Sequence, residues 1–196
     1  MLLAFFTFVI MLAGAYAFWR QGVLPAFAMV VNILLAGLVA FNFFEPIAAQ
    51  LDPMLTDTIL QGYEDSFSLV ALFSLTLLFL RWASNELIHT LITYNALIQQ
   101  GGAVLFGVLA GYLVAGFLTC VAQTLPAHEH FLQLEPRVET DSSGNVRHRL
   151  LPPDRVWLAL MHRASKTAFD WDETSVFDPD GSFELRYAHE RRTTGE

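Results

Sequence analysis

Ala103-Val-Leu-Phe-Gly-Val-Leu-Ala-Gly-Tyr-Leu-Val-Ala-Gly-Phe-Leu-Thr-Cys-Val-Ala-Gln-Thr-Leu125 runs for twenty-three residues without a charge and stops at Pro126. At roughly 1.5 Å per residue a helix of this length covers about 34 Å, enough to cross the hydrocarbon of a bilayer. In lipid every backbone N–H and C=O needs an internal partner, and a helix supplies it. The stretch therefore sets the class, an all-α membrane protein.

Working outward toward the N-terminus, three more apolar segments appear. Phe67–Leu80 is a purely apolar and hydroxyl-bearing core that becomes span-length when Tyr63 and Trp82 are placed in the two headgroup zones. Val23–Phe44 is a stronger span whose only strongly polar side chains are Asn32 and Asn42, with Pro25 near its start, where proline removes little hydrogen bonding. Leu2–Trp19 is uncharged and ends in the short turn Arg20-Gln21-Gly22. Ala15-Tyr16-Ala17 has the form of a leader cleavage site, but no Lys or Arg precedes Arg20 and a second apolar run follows at once, so a retained helix is expected.

Between these segments the polarity changes. Glu45-Pro46 is expected to end the second span, and Ile47, Leu51, Leu55 and Ile59 recur at helical spacing in an acidic stretch that reads as an interfacial helix or loop. After the third span, Leu87, Leu91, Tyr94 and Ile98 share one face while Asn85, Glu86, His89 and Gln99 lie elsewhere, the pattern of an amphipathic interfacial helix. Gly101-Gly102 is expected to break it. The expected fold is about four transmembrane helices, one amphipathic interfacial helix and a small mixed α/β polar C-terminal tail. The domains are a membrane unit over 1–125 and a tail over 126–196.

Composition agrees. The chain is 54% hydrophobic with mean hydropathy +0.44, and of its 11 Lys and Arg only Arg20 and Arg81 precede Pro126. With a net charge of −8 and no basic stripe, nucleic-acid binding has no electrostatic footprint. Cys120 stands alone in an apolar run and reads as a packing residue. In the tail, residues 136–140 and 145–151 flank Asp-Ser-Ser-Gly as a hairpin would, Asp154–Ala168 has helical periodicity through Trp157, Leu160 and Met161, and Asp178-Pro-Asp-Gly precedes a strand over Ser182–Tyr187. About seventy residues make only a marginal core, so the tail is expected to pack on the membrane unit or on a partner.

Arg20 and Arg81 fall in the first and third loops, and the acidic second loop has no basic residue. The positive-inside rule then puts those loops in the cytoplasm and both termini outside.

The candidate functional residues are helix-packing ones. Gly107 and Gly111 form a GxxxG, with Gly116 further along, and small residues let helix backbones approach closely in lipid. Their face suits another helix of the same chain or, in a homodimer, a second copy. Asn32, Ala36 and Ala40 form the complementary stripe on the second span, where the buried amide must find a partner helix or line a polar path. The three clearest spans hold no Asp, Glu, Lys, Arg or His, which disfavours an ion-coupled pump. His89, His128-Glu129-His130, Asp170-Trp-Asp-Glu173 and Asp178-Pro-Asp-Gly read as solvated groups, because none completes a metal-ligand spacing. The serines of the tail lack a base and an orienting acid, so no nucleophile is expected there. No catalytic residue, metal or cofactor is expected.

The four-span layout over residues 1–125, Arg20-Gln-Gly22 after the first span, the amphipathic stretch after the third and Leu105-Phe-Gly107-Val-Leu-Ala-Gly111 in the last resemble the colicin V production protein (CvpA) family. The chain departs from that family at Ala110, where an Arg is usual, and at Gln99-Gln100, where an Asp-Arg pair is usual. The resemblance implies a bacterial inner-membrane protein tied to colicin V production, toxin export or envelope homeostasis. Some relatives carry an extracytoplasmic protease domain after the spans; this tail shows no protease signature. The expected function is a non-enzymatic accessory or scaffold component whose partners are the lipid bilayer and, through the fourth helix, a second copy or another membrane protein. The alternative is a small oligomeric channel or transporter.

Overall fold

A computed structural model of the chain describes residues 2–55, 62–87, 95–125 and 152–168, together with Phe177, Asp178, Phe183, Arg186 and Tyr187. These form five helices: α1 (Leu2–Trp19), α2 (Val23–Leu55), α3 (Glu64–Leu87), α4 (Ala96–Thr124) and α5 (Pro153–Ala168). Three of them, α2, α3 and α4, are long and apolar enough to cross a membrane, and α1 is a shorter apolar helix.

The helices lie side by side in the order α1, α4, α2, α3, because α1 packs chiefly on α4 and α3 chiefly on α2. Gly14 meets Gly107 while Ile10 meets Gly111, so α1 and α4 run antiparallel. Gly102 lies against Val23 and Phe106 against Phe27, with Phe41 and Phe117 further along, so α2 and α4 run parallel. The turn between α1 and α2 closes at Gly22, whose φ of 95° suits a residue without a Cβ. The Gln99 side chain covers it.

Three boundaries differ from the sequence expectation. α3 runs on past Trp82 to Leu87, so Arg81, expected in the third loop, lies within the helix. Pro46 does not end α2, which continues to Leu55. Phe41, Phe44 and Ala48 stay buried on one face across the proline, and packing of that face outweighs the hydrogen bond that Pro46 removes. Gly101-Gly102 does not break a helix either, because α4 starts earlier, at Ala96, where the Asn95 side chain accepts a hydrogen bond from the Leu97 N–H at 3.4 Å. Two glycines cost a helix roughly 1 kcal/mol each, and Gly102 lets the Val23 side chain close onto the backbone. Ile98, expected on an interfacial helix, is thus an exposed residue of the first turns of α4. Residues 88–94 of the expected amphipathic helix, and 56–61 of the acidic loop, lie outside the described residues.

The tail also differs. Phe183, Arg186 and Tyr187 are helical where a strand was expected. Phe183 and Tyr187 are four apart and both buried, with ring centroids 5.0 Å apart, a separation that one helical turn gives and that a strand, which would carry them about 13 Å apart, does not. Asp178 has a φ of 47°, and its carboxylate accepts from the Phe183 N–H at 3.2 Å; the rest of the expected turn, 179–181, lies outside the described residues. The hairpin expected over 136–151, His128-Glu-His130 and Asp170–Glu173 lie outside the described residues.

Candidate functional site: two small-residue contacts and a sealed docking helix

Of the candidate residues, Gly107 and Gly111 face α1. A Cβ on Gly107 would stand 2.7 Å from the Gly14 carbonyl oxygen, and one on Gly111 would stand 2.6 Å from the Ile10 oxygen. The crossing is therefore backbone on backbone, which glycine permits in lipid. Gly14 completes it from α1; it was not among the expected contact residues, and small residues on both sides of a crossing are the signal that finds it.

Gly116 belongs to a different contact. Nine residues beyond Gly107 is about half a turn away around the helix, at roughly 100° per residue. Gly116 accordingly faces α5, where a Cβ would stand 2.9 Å from the Trp157 Cβ. Gly37 on α2 receives the other end of the same side chain, so tightly that a Cβ there would overlap the indole, and Met161 Sδ lies beside it. Trp157 thus fills a slot between the parallel helices α2 and α4. Phe41, Phe73 and Phe117 surround it edge-on at centroid distances of 6.0–6.4 Å, and Phe73 stacks on Phe117 at 3.8 Å. Trp157 and Met161 are buried in the same cluster as Phe41, Phe44, Leu113 and Phe117. The tail helix is in this way part of the core of the membrane helices.

Polar contacts seal the edges of that docking. Gln123 donates to the Asp154 carboxylate at 3.0 Å, with Asp154 only 1% exposed. Ser165 donates to Asn42 Oδ1 at 2.7 Å and accepts from the Phe177 N–H at 2.8 Å. Tyr187 donates to Asp65 at 2.8 Å, and Arg186 donates to Glu45 at 2.7 Å. The bond to Glu45 pushes the Arg186 guanidinium further above its ordinary range, so it stays a cation. A buried hydrogen bond is worth little net but costs much when half is removed, so the contacts of Asp154 and Ser165 fix where α5 sits, while Tyr187 and Arg186 tie the residues beyond it to α3 and α2. Cys120 lies buried beneath them, its Sγ 4.0 Å from the Asp154 carbonyl.

Asn32 faces α3 and pairs with Ser84, Nδ2 to Oγ at 3.0 Å. Ala36 and Ala40, on the same stripe, are fully buried. Among the described residues no group of three His, Cys, Asp or Glu is arranged to hold a metal. His162 instead sets Nδ1 3.0 Å from the Phe177 carbonyl.

Outside the core, large apolar side chains turn outward: Phe5, Phe8, Leu12 and Tyr16 on α1, and Phe67, Leu75, Leu78 and Phe79 on α3. A water-soluble monomer rarely shows so much apolar surface, whereas lipid accepts it. Outward apolar faces on span-length helices, with small residues at their contacts, define a multi-pass helical membrane protein. The model of the colicin V production protein family matches residues 3–136, and the chain belongs to that family. The match runs through α1–α4 and ends before α5. No curated relative and no solved structure matches the chain.

Proposed function

We propose that the chain is a non-enzymatic accessory or scaffold component of the bacterial inner membrane, acting in colicin V production, toxin export or envelope homeostasis as its family membership suggests. It crosses the bilayer four times with both termini extracytoplasmic. α1 supports the fourth crossing: its 18 residues span about 27 Å and lie antiparallel along α4. Arg20 follows α1, and the Arg81 guanidinium, carried within α3, reaches Met29 toward the same end of the bundle, which the positive-inside rule places in the cytoplasm.

The observation that carries the scaffold reading is how α4 is used. Its Gly107–Gly111 face is taken by α1 and its Gly116 face by α5, while Leu105 and Leu109, one turn apart, remain turned outward. The outward strip, not the glycine face, is what a second copy or another membrane protein meets. A photo-crosslinking residue at Leu105 or Leu109 in native membranes should give adducts heavier than the 22.0 kDa chain, and one at buried Leu113 should not. Lipid-only labelling at both outward positions would overturn the scaffold reading.

A further inference from the structure

At the loop end of the bundle a small notch opens between the α1–α2 turn and the last turns of α3. Gln21, Met29, Asn32, Arg81, Ser84 and Asn85 line it. Asn32 and Ser84 bond to each other.

The posture of Arg81 is the informative feature. Helices α2 and α3 are antiparallel, with Asn32 beside Ser84, so the Arg81 backbone lies about one turn deeper in the bundle than Ser84. Side chains in a helix lean toward their own N-terminus, which for Arg81 means deeper still. Its guanidinium goes the other way: Nη1 reaches Met29 Sδ at 3.7 Å, and Met29 is nearer the loop end than Asn32. This is the bent-back posture of a cation drawn to the edge of the hydrocarbon. Trp19, which closes α1, is exposed at the same end, where indoles mark the headgroup layer.

What the guanidinium finds there does not satisfy it. A thioether is a weak acceptor, and the fork has five N–H donors. Arg186 pairs with Glu45 at the opposite end of the bundle, and among the described residues no carboxylate pairs with Arg81. The notch holds about 20 Å³, room for one water, so a larger ligand would have to sit at its mouth. A phosphate diester matches the geometry: its oxygens take the guanidinium fork and its chain continues into the lipid.

We infer that this notch is a site for the phosphate of an anionic lipid headgroup, with Arg81 as the cationic ligand and the amides of Gln21 and Asn85 as its polar flanks. The inference needs α2 and α3 to cross the membrane. It stands or falls separately from the scaffold role and from which side the loops face.

The test is lipid retention by the purified full-length protein in detergent, read by native mass spectrometry. Phosphatidylglycerol, phosphatidylcholine and inorganic phosphate are added in turn. Wild type should hold phosphatidylglycerol in preference to phosphatidylcholine, and Arg81→Gln should weaken that retention roughly tenfold, the scale of one charge-assisted contact. Arg81→Lys, which keeps the charge and loses the fork, should fall between them, and Arg163→Gln, on the exposed face of α5, should match wild type. Equal retention by wild type and Arg81→Gln would overturn the site. Arg81-dependent binding of inorganic phosphate without lipid retention would overturn the lipid as its source.

Discussion

Gly14 on α1 and Gly107 on α4 touch through their backbones, each so close that a methyl group on either would press on the other's carbonyl. The contact leaves no room for a side chain, and neither backbone can retreat without moving a helix. Gly107→Leu or Gly111→Leu should therefore displace α1 and lower accumulation in the membrane, with an overpacking cost of roughly 1–3 kcal/mol or more. Immunoblotting of membrane fractions against the parent chain measures the loss. Gly101→Leu is the control, because a Cβ there meets nothing within 4 Å.

Trp157→Ala should loosen the docking helix, since the buried indole leaves a cavity costing roughly 3–5 kcal/mol. Protease cleavage in the tail of detergent-solubilised protein is the readout, and the half-exposed Leu160→Ala serves as the reference with a much smaller effect. Equal cleavage of the two variants would mean that the indole does not hold α5 in solution.

Ser165→Ala removes a hydroxyl that serves two partners at once, leaving the Asn42 oxygen and the Phe177 N–H without it. The expected cost is about 1–3 kcal/mol, mostly from the buried donor left behind. Ser165→Thr keeps the hydroxyl and should recover part of it. Melting followed by tryptophan fluorescence measures both.

Reporter fusions after Leu125 and at Glu196, with cysteine labelling near Asp57, test the topology. Extracytoplasmic signals at all three positions agree with four crossings and termini outside. A cytoplasmic C-terminus would overturn either the span count or the orientation drawn from Arg20 and Arg81.

The parts of this fold legible in the sequence are those governed by local chemistry. α1 begins and ends where its uncharged run does, α2 starts right after Gly22, and α5 starts at the second of two prolines. The same local reasoning misplaced the end of α2, because Pro46 announces a stop that the buried face of Phe41, Phe44 and Ala48 overrules. Gly107 and Gly111 were recognisable as contact residues, but a motif does not name its partner. Neither Gly14 nor Gly37 could be matched to its neighbour by spacing. Gly37 and Trp157 stand far apart in the chain, and nothing periodic links them. Ser84 was hidden for the same reason, as the acceptor that Asn32 required but could not specify.

The seat of Trp157 between α2 and α4 also imposes an order on biogenesis. When α4 has left the ribosome, the residue that packs beside Gly37 and Gly116 has yet to be synthesised. Until it is made, Phe41, Phe73 and Phe117 lack the indole that they surround in the finished protein. The membrane helices are thus completed by a late-arriving segment, and quality control acting between those two moments would see an unfinished protein whose fate turns on whether α5 arrives.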